Sequence, residues 1–177
     1  YKRQIHNKCI KMTKNVTLRR PKLLDLDQLL FWENNLDNSL FSENPIFYTT
    51  EQIEEFLNSH QDIFLDRQIR FMIDSSGSPV GCIDLFEFDM VNSRAGVGIF
   101  IDEKFRNMGI ATETLSLLKS ICIKDYFISN LHANILHTNK ASIQLFERAG
   151  FTKNGVKENW IRTENSMLDV WFFQCFL

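Results

Sequence analysis

The segment Arg106-Asn107-Met108-Gly109-Ile110-Ala111 joins residue types that can grip a diphosphate. A helix start offers backbone N–H groups without intrahelical partners, and the helix dipole favours an anion there. The turn needs a residue with no side chain where backbone meets phosphate. Gly109 fits that place, Ala111 keeps the next approach close, and Arg106 adds a charge-assisted contact. With a single glycine, the turn is neither a G-x-G-x-x-G fingerprint nor a P-loop. A second group of residues suits proton transfer: Asp84 and Glu87, in Ile83-Asp84-Leu85-Phe86-Glu87-Phe88. Residues three apart on an ideal strand face opposite sides. The two carboxylates therefore share one site only if a bulge or a strand end intervenes.

These residues need a frame. Arg94 to Asp102 reads as a strand, near-continuously apolar at Val97, Ile99, Phe100 and Ile101 and hence central in its sheet. It places the turn at a strand's carboxyl end, where ligands sit in α/β proteins. Gly109 to Lys124 reads as a helix with Ile110, Thr114, Leu117, Leu118 and Ile121 on one face. Leu131 to Leu136 alternates as a strand, and Asn139 with Ser142 opens a short helix that ends at Gly150.

Upstream, Val16 to Arg19 is a strand, and Asp25 with Gln28 is a capping-box-like pair opening a helix that ends near Glu33. Polar Asn34 to Asn44 and Pro45 break it, and Thr49 with Gln52 opens a second helix. Strands Ile69 to Ile73 and Val80 to Phe88 flank a turn at Asp74 to Pro79. Phe151 to Lys157 and Leu168 to Phe176 close the chain as strands. The expected fold is mixed α/β, a largely antiparallel sheet flanked by helices, with one strand–helix–strand crossover in the middle.

A chain of 177 residues, 44 % hydrophobic, suits one domain, read here as 14–177. Residues 1–13 are read as an N-terminal extension: they carry basic residues without the apolar core of a secretory signal, and Met12 is a candidate natural start. Net charge is −2, from 20 Lys plus Arg against 22 Asp plus Glu, which argues against nucleic acid as a partner. No run of 18 apolar residues predicts a membrane span. Cys9, Cys82, Cys122 and Cys175 form no C-x-x-C pair and read as small hydrophobes in a reducing, cytoplasmic compartment. His132 and His137 lack metal-ligand spacing, so no metal is expected. The apolar run Val170 to Leu177 reads as an exposed edge strand inviting self-association.

The turn resembles the acetyl-CoA signature of the GNAT acetyltransferase superfamily, Q/R-x-x-G-x-G/A. Further along, Asn139-Lys140-Ala141-Ser142-Ile143-Gln144-Leu145-Phe146-Glu147-Arg148-Ala149-Gly150-Phe151 matches that family's N-x-x-S/A-x-x-L-Y/F-x-x-x-G-F. The resemblance runs from Val16 to the C-terminus. It implies the GNAT fold, acetyl-CoA as donor, and direct transfer to an amine in a ternary complex. It places the pantetheine arm along Phe100, Ile101 and Asp102, and the pyrophosphate on Arg106, Asn107, Met108, Gly109, Ile110, Ala111 and Thr112. Asn139, Ser142 and Phe146 are expected beside the cofactor, the Asn139–Ser142 spacing also suiting a helix N-cap. Many members carry a Tyr at position 146, whose hydroxyl protonates the leaving thiolate. With Phe146, water substitutes, and the missing acid is worth about 10²–10⁴-fold in rate.

An alkyl amine with a pKa near 10.4 is only about 0.04 % neutral at pH 7, so the site needs a base. The stretch around Asp84 and Glu87, followed by Arg94-Ala95-Gly96, resembles the polyamine (spermidine/diamine) N-acetyltransferase branch. There both acidic positions are typically Glu and help form an acidic polycation site. The resemblance makes Glu87 and Asp84 the catalytic and substrate-binding candidates, and Glu33, at the end of the first helix, adds negative potential as a further substrate-binding candidate. Two rivals stand beside the polyamine reading. One is a protein N-terminal acetyltransferase of the ribosomal-protein type; the other, prompted by Phe146, is a non-catalytic acyl-CoA-binding module.

Overall fold

The computed structural model describes residues 15–35, 47–163 and 165–177. The expected N-terminal extension, Cys9 and most of the break between the first two helices lie outside them. Seven strands form one sheet in the order β1-β2-β3-β4-β5-β7-β6. They are β1 (Val16–Arg19), β2 (Ile69–Ser75), β3 (Ser78–Asp89), β4 (Arg94–Ile101), β5 (Asn130–Leu136), β6 (Thr152–Arg162) and β7 (Met167–Phe176). Every pairing is antiparallel except β4–β5. Helices α1 (Leu26–Glu33), α2 (Thr50–Asn58) and the single-turn α3 (Ile63–Asp66) precede β2. Helix α4 (Ile110–Asp125) makes the β4–β5 crossover, and α5 (Lys140–Arg148) follows β5.

Strand alternation sorts two cores onto opposite faces. Phe71 and Ile73 join Ile83, Leu85, Ala95, Val97, Leu131 and Phe173 under α4, whose Leu115 and Leu118 are fully buried. Each such leucine stabilises the fold by about 1.5–3 kcal/mol. Met72, between Phe71 and Ile73, turns the other way and meets Leu29 and Trp32 of α1 and Ile53 and Leu57 of α2. Phe100 of β4 packs against this second core, its ring 5.4 Å from that of Trp32. The capping box of Thr49 and Gln52 forms as expected. The β2–β3 turn narrows to Ser76-Gly77, both with positive φ (53° and 84°), as a two-residue hairpin loop requires.

Three readings are corrected. The Asp25 side chain makes no cap bond to α1: it sits in a 3-10 turn (Leu23–Asp25), accepts the Lys22 amide at that turn's start, and receives two hydrogen bonds from Arg19, at 2.7 and 2.8 Å. A bidentate guanidinium outcompetes a lone cap interaction for a carboxylate that is 2 % exposed. The strand ending the chain is not an edge either. β7 inserts between β5 and β6, so its apolar residues are explained by burial within the sheet, and β6 takes the edge. Helix α3 was missed because one turn is too short to show a helical period.

Gly81 marks the tightest β3–β4 contact. A Cβ there would stand 2.1 Å from the Phe100 carbonyl oxygen, a backbone atom that cannot rotate away. Gly81→Ala should cost about 3 kcal/mol, seen as a lower urea midpoint at unchanged slope.

Candidate active site

The sheet opens at its centre. Strands β4 and β5 pair only through Arg94–Asn130, Ala95–Leu131 and Gly96–His132. Beyond that point β5 pairs with β7 alone, and 97–101 of β4 pair with β3 alone. Backbone groups on the inner edge of β4 are left for a ligand. Alternation decides which ones. The Asp102 amide donates to Val80 O, on the β3 side, so Phe100 and Gly98 also turn their polar groups to β3 and Ile99 and Ile101 turn theirs to the opening. Of the three residues expected along the pantetheine arm, Ile101 thus turns its backbone to the opening, where its carbonyl already accepts from Arg106 Nε and its amide faces the cleft. Phe100 offers no backbone partner there, and the Asp102 carbonyl accepts from the Phe105 amide. The Asp102 carboxylate holds Trp32 Nε1 at 3.0 Å and caps the 3-10 turn Glu103–Phe105.

The turn after β4 runs into the N-terminus of α4. Asn107 and Gly109 both take positive φ (60° and 75°), Gly109 serving as the N-cap of α4. The Glu113 amide donates to the Gly109 carbonyl, so the amides of Ile110, Ala111 and Thr112 precede the first intrahelical bond and point along the helix axis. Arg106 stretches back to donate from Nε to the Ile101 carbonyl at 3.0 Å. Met108 is exposed beside it. A diphosphate fits these groups: oriented amides, a helix N-terminus, an adjacent guanidinium and no Cβ at Gly109. Asn139 and Ser142 do form an N-cap, the Asn139 carboxamide accepting the Ser142 amide at 3.1 Å. Phe146 is 2 % exposed, with its ring edge-on to Phe151 at 4.9 Å. The apolar inner face of α5 holds it there.

A bulge separates the carboxylates. The β3–β4 register slips between Phe86 and Asp89, and Glu87 takes a positive φ of 50°. The bulge swings Glu87 to the rim of a cavity of about 780 Å³, also lined by Phe86, Arg94, His132 and Phe172. His132 Nε2 lies 3.3 Å from Glu87 Oε2. The imidazole is flanked by Phe86 (6.0 Å) and Phe172 (5.7 Å). Burial pushes its pKa below the usual 6.5, against the opposing pull of Glu87. His132 stands on the last β4–β5 ladder pair, where the opening begins.

Asp84 goes elsewhere. It lines a second cavity of about 560 Å³ with Glu33, Phe56 and Arg70, under α1 and α2. Arg70 donates Nε and Nη2 to the two Asp84 oxygens, both at 2.7 Å, and Nη1 to Glu33. Burial alone would lower the guanidinium pKa, but the flanking carboxylates hold it well above its ordinary value. The structure therefore joins Glu33 with Asp84 and places Glu87 apart from both. Phe86 lies between, lining both cavities. Its ring lies over Gly96, where a Cβ would stand 2.3 Å away, and beside Gly98. Sequence reasoning missed Arg70 and His132. The outward alternation of Arg70 in β2 was the one available signal, and nothing linked His132 to a residue 45 positions earlier.

The comparisons with known proteins agree with this geometry. Residues 15–152 match the acetyltransferase (GNAT) domain family. The chain is 22 % identical to p20, an uncharacterized N-acetyltransferase of Bacillus licheniformis, over 91 % of this chain and 92 % of that one. It is 24 % identical to the spermidine N(1)-acetyltransferase of Escherichia coli K12 over 49 % of this chain and 46 % of that one. A crystal structure of Vibrio cholerae spermidine N-acetyltransferase with CoA and spermine superposes with a TM-score of 0.82 at 19 % identity, covering 91 % and 95 % of the chains. A dodecameric structure from the same organism superposes at 0.76, with 19 % identity over 91 % and 93 %. Sheet and crossover helix thus come together as the resemblance implied, and the chain belongs to the GNAT family of acetyltransferases, with acetyl-CoA as its acetyl donor.

Proposed function

We propose that this acetyltransferase moves the acetyl group directly to a primary amine of a polyamine or diamine in a ternary complex. The observation that supports the reading is the position of His132, which stands on the last β4–β5 ladder pair and also lines the Glu87 cavity. A thioester carbon and an amine nitrogen can meet at that point without a covalent carrier. Burial pushes the thiols of Cys82 and Cys122 up to about 12, so neither serves as an acyl-accepting thiolate.

Glu87, and not Asp84, is the carboxylate at the reacting end, because Arg70 holds both Asp84 oxygens. Asp84 and Glu33 contribute an acidic wall further along, where a distal ammonium would have to share with Arg70. In the opening, the Ile101 backbone faces the pantetheine, and residues 106–112 hold the diphosphate. Spermine and spermidine in the named relatives favour a polyamine acceptor. We place the protein in the cytoplasm, in keeping with its free cysteines. We also propose self-association. Leu24 (79 % exposed) and Phe31 (61 %) leave apolar surface around α1, and one structural neighbour is dodecameric.

Thiol release from acetyl-CoA should be followed with spermidine, spermine, short diamines, aminoglycosides and N-terminal peptides. Release with the polyamines and diamines is expected. Release with peptides alone would move the function to protein N-acetylation. Binding of acetyl-CoA with no release from any amine would favour an acyl-CoA-binding module.

A further inference from the structure

We infer that His132 is the general base of the reaction and that Glu87 acts through it as a positioning residue. This rests on the amine acetyltransferase reading above and names the group that moves the proton. Three observations place His132 there. It occupies the last ladder pair before β4 and β5 part, at the inner end of the opening. It lines the cavity through which an amine would enter. Its ring is held between Phe86 and Phe172, with Nε2 facing Glu87. A carboxylate accepting the Nε2 proton fixes the tautomer whose Nδ1 carries the lone pair.

The groups facing the imidazole come from several elements. Glu87 of β3 attracts a proton to it. Arg94 of β4 and Lys157 of β6 oppose that, and Asp66 and Arg67 close the far side of the cavity with opposite charges. Asp89 is itself paired with Arg94 at 3.1 Å. The ring is thus neutral at pH 7 and able to accept a proton. In the step, the acceptor ammonium first gives one proton to Nδ1, which passes it to solvent, and the freed lone pair then forms the N–C bond to the thioester carbonyl carbon. The C–S bond breaks, and its electron pair leaves on sulfur. Nδ1 takes the N–H proton, which becomes acidic as the N–C bond forms. The imidazolium then returns that proton to the thiolate, whose conjugate acid has a pKa of about 8.5, and is neutral for the next turnover. One residue supplies both transfers, which explains how a chain with a buried Phe146 in place of a hydroxyl completes the proton inventory.

The test uses His132→Gln and His132→Phe, the second keeping a flat ring between Phe86 and Phe172. Both should lower kcat about 100-fold or more while leaving acetyl-CoA affinity and Tm near the parent's. The parent's kcat/KM should rise with pH along a limb below 6.5, absent in both variants. Glu87→Gln should shift that limb, and the His132 imidazole titration followed by NMR, to lower pH. Parent-like turnover in His132→Phe would overturn the assignment and leave the amine acetyltransferase reading standing, as would a titration unmoved by Glu87→Gln. No release by the parent with any amine would overturn both.

Discussion

Gly109→Glu is expected to abolish acetyl-CoA binding within the measurable range, a loss of at least about 100-fold in affinity. Three penalties coincide. Gly109 sits at a φ of 75°, where a residue with a Cβ costs about 1–2 kcal/mol. The new carboxylate stands at the N-terminus of α4, where the amides of Ile110, Ala111 and Thr112 would hold phosphate oxygens. It also repels the diphosphate directly, and a lone negative charge there satisfies the same amides the ligand needs. A helix N-terminus favours an anion by about 0.3–1 kcal/mol when exposed, so the variant competes with its own ligand while offsetting only part of the backbone strain. Calorimetric titration with CoA checks it. Retained affinity together with an unchanged Tm would place the diphosphate away from this turn.

Arg70→Met should be the most destabilising single change among the charged residues of the site. The Arg70, Glu33 and Asp84 side chains are each between a fifth and a third exposed, so the pairing is only partly screened by solvent. Removing the cation leaves two half-buried carboxylates facing each other. Breaking a fully buried pair costs about 3–5 kcal/mol, and the partial exposure brings the expectation to about 2–3. Urea midpoints of parent and variant at pH 7 check it: an unchanged midpoint contradicts the assignment. The same substitution exposes Glu33 and Asp84 to an incoming ammonium, so polyamine KM should not rise.

The fold was legible where periodicity and chemistry coincide. β4 reads as central because it is apolar on both faces, and the structure puts it fourth of seven strands. The 106–112 turn reads as an anion site because its physics is local: a glycine, a helix start and an arginine lie within a few residues. Asp25 shows the limit of local reasoning. Its spacing to Gln28 spells a cap, yet the carboxylate serves Arg19, a partner brought by the path of the chain. Asp84 and Glu87 show the same limit with a twist. Their need for a bulge followed from strand geometry, and a bulge is there. What the bulge does could not be read, because it parts the two carboxylates into separate cavities instead of joining them. His132 was invisible because its flanking rings and its carboxylate come from β3 and β7, far away in the chain.

The strand order has a kinetic consequence. Strands β1 through β4 form a series of antiparallel neighbours, β2 to β4 joined by short turns, whereas β5 must wait for β7, which arrives after a helix and another strand. Loop-closure entropy makes such non-local pairing the slower event. The sheet is therefore built as two halves, joined through three ladder pairs and the α4 crossover. The cleft is the seam between those halves. Substitutions in β7 that never touch a ligand should slow the docking of β5, and with it the moment at which His132 reaches Glu87.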